Sequence, residues 1–198
     1  MGMFVNPDNF AFQVALNSEI YVDKTGLIKY TNRVLNTLQG YICNSRPRRF
    51  GKSITANMLT AYYSRGCDSE AIFAGLEISK SADFKKHLNQ YDVIHLDIQW
   101  CMEPAGGPEQ VVSYISEKTI AELKGYYSDV LTENTGSLPE ALSRINAATG
   151  KNLSLSSMNG TSLFVMSQPT PRRRRIISTF SEECLRGQSQ RNMFNWHT

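Results

Sequence analysis

Apolar residues recur at helical spacing in several stretches of this chain and run almost unbroken in two others. Leu27, Ile28, Tyr30, Val34, Leu35 and Leu38 predict a helix that Thr25 caps and Gly40 ends. Ile54, Met58, Leu59 and Tyr62 predict the apolar face of a second helix, running to Tyr63 and broken at Gly66-Cys67-Asp68. A short helix is expected over Asp83 to Leu88. Gly106-Gly107-Pro108 starts a long helix with Val111, Val112, Ile115, Ile120 and Leu123 on one face. Ser137-Leu138-Pro139-Glu140 is a capping box, and it opens a helix through Ala141, Leu142 and Ile145 that stops at Gly150. Glu19 to Thr25 reads as a short extended piece. Tyr41 to Asn44 reads as a strand, and Tyr91 to Ile98 as a second one, apolar enough to be buried on both faces. Phe4 to Asn17 reads as an irregular lead-in. Alternating strands and helices predict an α/β fold with a parallel sheet.

The character changes after Lys151. Leu153 to Ser162 is Ser-rich, Pro169 and Pro171 follow, and then comes the run Arg172 to Arg175. No period survives for long, so residues 152–198 read as a mostly disordered basic tail, although Leu153-Ser154-Leu155 has the β-propensity to form a strand.

Composition bounds the function. With 198 residues, 41% apolar and 20% charged, the chain suits one globular domain with an appendage. No apolar run approaches the roughly 18 residues of a membrane span. The N-terminus lacks the pattern of a signal peptide or a myristoylation site. Cys43, Cys67, Cys101 and Cys184 show no metal-binding spacing, which points to reduced thiols and a cytoplasmic protein. Residues 152–198 carry six arginines against Glu182 and Glu183, so the net charge of +3 is a basic tail on a near-neutral body. That distribution argues against a nucleic-acid binder built on the whole domain.

The candidate chemistry lies between the first strand and the helix after it, in Ser45-Arg46-Pro47-Arg48-Arg49-Phe50-Gly51-Lys52-Ser53. A strand, a loop ending Gly-Lys-Ser and a helix form the layout of a phosphate cradle. Gly51 lets the backbone approach a phosphate, and the helix end offers N–H groups and positive potential. Lys52 supplies a point charge for the β/γ-phosphates, and the Ser53 hydroxyl can ligate Mg²⁺. The candidate contacts for a nucleotide are Arg48, Arg49, Phe50, Gly51, Lys52, Ser53 and Ile54, with Ser53 reaching Mg²⁺ through it. Arg46 stands where the common pattern has glycine. The alternative is a solvated basic loop, or one that contacts nucleic acid together with Arg172 to Arg175. His87 and His95 read as structural. Asp97 follows a mainly apolar run as a Walker B aspartate would, but strand-end capping explains it as well.

The loop resembles a variant Walker A of the bacterial AAA-ATPase-like family, in which Arg-Pro-Arg-Arg-Phe replaces the glycine-rich start. Many members of that family carry a PD-(D/E)XK nuclease-like domain at the C-terminus. Tyr21-Val22-Asp23-Lys24-Thr25 is similar to the family's upstream motif. Ala61-Tyr62-Tyr63, Phe73-Ala74-Gly75-Leu76 and Val93-Ile94-His95-Leu96-Asp97 also fit. The resemblance covers about residues 4–151. It implies a P-loop ATP-binding domain over 1–151 and a place near the nucleotide for Asp23 and Lys24, with no mechanism given by the sequence. It also implies a following strand F-I-I-D-E-W-D, whose Asp orders Mg²⁺ and whose Glu activates water.

This chain has Ser154 to Thr161 where that strand is due. Permitted codons for those residues include TCT TTA TCA TCG ATG AAT GGG ACN. Read from the third base of each codon, they give F-I-I-D-E-W-D. At the same offset, permitted codons for Arg175 to Thr198 give D-Y-I-D-F-L-R-G-M-F-K-G-T-K-S-E-E-Y-V-Q-L-A-Y, similar to the family's next segment. Loss of one A from a run of six at Lys151-Asn152 would produce the switch. The expectation is an ATP-binding domain truncated before its Walker B, with residues 152–198 translated out of frame and hydrolysis poor or absent. Resequencing that A run tests it. An uninterrupted frame, with the tail shared as protein by relatives, would sink it and leave a genuine basic tail.

Overall fold

The computed structural model describes residues 2–35, 37, 39–44, 50–150, 153–158 and 162–166. The chain divides into two compact units, one of residues 1–97 with 152–168 and one of 98–151 with 169–198.

The first unit is organised around one buried helix. Its helices are α1 (Phe10–Leu16), α2 (Gly26–Val34), α3 (Lys52–Tyr63), α4 (Glu70–Phe73) and α5 (Phe84–His87), with a 3₁₀ turn at Glu77–Lys80. From Thr55 onward α3 is buried on nearly every side, and Tyr62 and Tyr63 are fully enclosed. Burying each such ring is worth about 1.5–3 kcal/mol, provided its hydroxyl is paired. Both are. Tyr63 donates to Asn32 Oδ1 at 2.6 Å, Asn32 Nδ2 donates to Tyr62 at 3.1 Å, and Tyr62 donates to the Phe84 carbonyl at 2.8 Å. Burial pushes the Tyr62 hydroxyl up to about 12, so it stays a neutral donor. Phe12 stacks on Phe73 at 5.2 Å and closes the aromatic cluster. Asn89, at φ 55°, receives the chain beyond α3, its Nδ2 donating to the carbonyls of Ala61 at 3.0 Å and Ser64 at 2.8 Å. Asn tolerates that left-handed backbone better than most residues.

The strands of this unit are β1 (Tyr41–Asn44), β2 (Asp92–Asp97), β3 (Leu153–Met158) and β4 (Ser162–Met166), in the order β1-β4-β3-β2. β2 and β3 are parallel, whereas β4 runs antiparallel to both β1 and β3. The sheet is therefore mixed, and the expectation of a parallel sheet is corrected. The cause is chain length. Three residues separate β3 from β4, enough for a hairpin but not for the dozen or more residues of a parallel crossover. The strand expected at Leu153-Ser154-Leu155 is β3, which runs on to Met158, and β4 adds a second strand that was not expected; Arg172 to Arg175 lie outside the described residues. Pairing with β2 and β4 supplies what the Ser-rich sequence lacks in period.

The lead-in is also more regular than expected. Residues 10–16 are α1, and Val5 bridges Ile94 on the free edge of β2. Asn6 fastens that edge: its side chain accepts from Val93 N–H at 2.8 Å and donates to Asp92 at 2.8 Å. Arg65 Nε lies 3.0 Å from the same buried carboxylate, so Asp92 is paired. Covering an edge strand in this way blocks pairing with other chains.

The second unit contains α6 (Ile98–Ala105), α7 (Val111–Tyr126) and α8 (Leu138–Thr149). Sequence reading extended β2 into Ile98, whereas the chain turns helical there. In α7 the residues Val111, Ile115, Ile120 and Leu123 are buried as expected, but Val112 is exposed. The Ser137 half of the capping box of α8 forms, while Glu140 reaches one residue further back than the box requires. Ser137 Oγ accepts from Glu140 N–H at 3.4 Å, Glu140 reaches back to Gly136 N–H at 3.3 Å, and Gly150 closes the helix at φ 64°.

Candidate functional site

The first unit's sheet has a chemically distinct edge. β1 and β2 both run in the same direction as β3, so all three strands end on one side. At such carboxyl edges α/β proteins place their ligands.

β1 leads into the candidate loop. Arg48 and Arg49 lie outside the described residues, as do Ser45, Arg46 and Pro47. From Phe50 the chain is described. Phe50 is exposed, and Gly51 adopts φ 74°, ψ 27°, a left-handed conformation that costs other residues about 1–2 kcal/mol. That turn starts α3, and Thr55 N–H returns to the Gly51 carbonyl at 3.0 Å. An α-helix leaves its first amides without intrahelical acceptors. At α3 this end bears Lys52, Ser53 and Ile54, has no side-chain cap and has no acidic residue in its first turn. Lysine at the first helical position opposes the helix dipole. A helix start without a side-chain cap or an acidic residue is of the kind that receives an anion. Ile54 belongs to it rather than to the apolar face, because it is 39% exposed while Met58 and Leu59 are buried.

A residue from elsewhere joins the loop. Lys24 Nζ lies 3.3 Å from the Phe50 carbonyl. A Cβ on Gly51 would stand 2.9 Å from that ammonium. Lys24 is held by the turn before α2. Asp23 Oδ1 accepts from Thr25 N–H at 2.8 Å and from its hydroxyl at 2.7 Å, and Oδ2 accepts from Glu77 N–H at 2.7 Å. Thr25 Oγ1 in turn accepts from Ile78 N–H at 3.1 Å. Thr25 is thus not a side-chain cap of α2, as the sequence suggested, but a bolt to the 3₁₀ turn. Burial alone pushes the Asp23 carboxyl up. The Thr25 hydroxyl, the Glu77 and Thr25 amides and the Lys80 charge outweigh it and hold Asp23 below the usual carboxylate range. No sequence motif announces the contact between Lys24 and Phe50, since 26 positions separate them.

Among the described residues of β3 none is acidic. β3 ends in Ser157 and Met158, and Met158 pairs with Asp97 at the end of β2. Asp97 shares the loop's side of the sheet but stands three strand spacings from β1, about 14 Å. His87 and His95 take structural partners. His87 Nδ1 bonds Tyr91 at 2.6 Å, and His95 Nδ1 bonds Thr60 of α3 at 2.8 Å. Among the described residues no three His, Cys, Asp or Glu side chains cluster to hold a metal. The described start of α3 suits a phosphate group: Gly51 turns into it, it has no side-chain cap, and Lys52 and Ser53 follow. Among the described residues no helix is long and apolar enough to cross a membrane.

No curated protein and no solved structure matches the chain. A family model does, over residues 8–155, and its description is "Predicted AAA-ATPase". That span takes in the Asp23-Lys24-Thr25 turn, the whole loop, α3, both β1 and β2, and the first half of β3. The chain belongs to the AAA-ATPase-like family.

Proposed function

We propose that this protein is an ATP-binding domain of P-loop type that holds nucleotide but hydrolyses it poorly or not at all. The observation that carries the binding half is the uncapped start of α3, turned by Gly51 and bearing Lys52 and Ser53 at the carboxyl end of β1. The α3 amides and Lys52 hold the β- and γ-phosphates, and Ser53 contacts the Mg²⁺ that accompanies them. Arg48 and Arg49 belong to the same loop and add charge to it. When bound, Mg²⁺ neutralises charge developing on the phosphates.

The hydrolytic half is missing because β3 carries no acid at its end. A lost base in the reading frame accounts for it. One A restored near Lys151-Asn152 writes Asp in place of Met158 and Glu in place of Asn159. The first of these falls at the last residue of β3. The family match ends at residue 155, just past the inferred switch, which supports this account. On this reading 1–151 is the inherited domain and 152–198 is out-of-frame sequence, with Arg172 to Arg175 an accident of translation.

Thermal unfolding with and without Mg-ATP tests the binding. At ATP one hundred times its Kd the stabilisation is about 2.7 kcal/mol, roughly 5–10 °C for a chain of this size. Lys52→Ala should abolish that shift while the chain remains folded. No ATP-dependent shift in wild type refutes the proposal. Salt-sensitive DNA binding that survives Lys52→Ala would favour a nucleic-acid module instead.

A further inference from the structure

We propose that Lys24 is a second phosphate-binding cation of this site, delivered to the loop from outside it by the turn that Asp23 and Thr25 build. The inference rests on the nucleotide reading above and adds a residue that the Walker A pattern does not contain.

Three observations point the same way. The first is position. Lys24 Nζ meets the loop at Phe50 and Gly51, directly before the first turn of α3. That is the positive end of the helix, where an anion is favoured. The second is the contact itself. At 3.3 Å to the Phe50 carbonyl it is longer than an ordinary N–H···O bond, and it engages one of three ammonium donors. The remaining donors are available to a phosphate oxygen, and a loose bond is easily exchanged for a charge-assisted one.

The third is how much structure fixes the backbone behind it. Asp23, next to Lys24, spends both carboxylate oxygens on Thr25 and Glu77. It therefore anchors the turn to the 3₁₀ segment 54 residues away. Beyond Lys24, its own carbonyl accepts from Leu27 N–H at 3.0 Å as α2 begins. The turn is rigid on both sides of the lysine, and only the flexible stem of Lys24 extends to the loop. Gly51 completes the fit, because a side chain there would meet the ammonium at 2.9 Å. Glycine at 51 thus serves the left-handed turn and the approach of Lys24 together.

The test uses isothermal titration of the full chain with Mg-ATP and with sodium tripolyphosphate, which carries the phosphates without the base. Lys24→Met keeps the apolar stem and removes the charge. It should weaken both ligands roughly tenfold, the scale of one lost charge-assisted hydrogen bond. Ligand-free melting should stay within about 2 °C of wild type, and Lys24→Arg should recover most of the affinity. If Lys24→Met binds both ligands as wild type does while Lys52→Ala binds neither, the Lys24 proposal fails and the nucleotide reading stands. If wild type binds neither ligand, both fail. A Lys24→Met chain that melts well below wild type, with Lys24→Arg binding no better than Lys24→Met, marks a structural fastening and also overturns the proposal.

Discussion

The carboxyl ends of β1 and β3 lie on the same side of one sheet, with β4 between them, and they differ in everything that matters for chemistry. β1 opens into a left-handed glycine, an uncapped helix start, Lys52 and the converging Lys24. β3 forms just as regular a strand and ends in Ser157 and Met158. The difference separates two kinds of requirement. A phosphate cradle is mostly backbone, written in one contiguous stretch from β1 to α3, and it persists as long as that stretch does. A hydrolytic site needs particular carboxylates on a different strand. A strand will form from Leu153-Ser154-Leu155-Ser156 when β2 and β4 offer partners, whatever its side chains can catalyse. The sheet tolerates a strand without those carboxylates.

Repairing the poorer end should have the largest effect. On the proposed frameshift, restoring one A at Lys151-Asn152 writes Asp at 158 and Glu at 159. Phosphate release from Mg-ATP should then rise by about 10²–10⁴-fold, the usual contribution of a positioned acid–base group. Equal phosphate release from the two proteins, both shown to bind ATP, would mean that the missing acids are not what separates the two ends.

Spoiling the richer end comes next. Gly51→Ala forces an L-residue into φ 74°, at about 1–2 kcal/mol, or roughly 2–8 °C in melting temperature. Lys24 can swing away from the new methyl group, so backbone conformation sets the cost rather than the clash. ATP stabilisation should fall with it, since the amides of α3 lose their direction. A Gly51→Ala chain with unchanged melting and unchanged ATP response would show that the left-handed turn is not what builds the cradle.

The two ends were not equally legible in the sequence. β1, α3 and β2 could be read because each has a local signal: an apolar run, a Gly-Lys-Ser punctuation, a helical face. The box at Ser137 and Glu140 and the stop at Gly150 fixed α8 in the same way. What escaped depends on tertiary partners. α1 hid because it buries only Phe12 and leaves Phe10 and Val14 exposed, so it shows no amphipathic stripe. β4 is held by β1 and β3, and its antiparallel sense follows from a three-residue connection rather than from its composition. Thr25 looked like a helix cap because caps and side-chain bolts use the same residue types. Asp23 and Lys24 could be placed near the nucleotide only by resemblance. Their mechanism needed the fold, because it joins residues 23 and 24 to residues 77 and 50.

The smallest effect links the two ends through β2. His95 pairs with Ser156 of β3 in register and bonds Thr60 of α3, the helix that begins at the loop. Burial pushes its imidazole below the usual value of 6.5, and the Asp97 charge pulls the other way. A histidine that is harder to protonate when folded binds fewer protons than the unfolded chain in the window below pH 6.5. Its neutral form is fully accommodated above 6.5, and stability is lost as pH falls from there towards the folded value. Ligand-free melting should therefore decline on acidification through this window, and His95→Gln should flatten the decline; the buried His87 shifts in the same direction and leaves a remainder. In the frame-restored chain the new Asp at 158 stands opposite Asp97 and adds negative charge to the same strand ends. That charge raises the His95 value towards 6.5, so the decline should be shallower than in the present chain. Equal slopes in the two proteins would place the restored carboxylate out of electrostatic reach of β2, and so away from the strand end at which the comparison puts it.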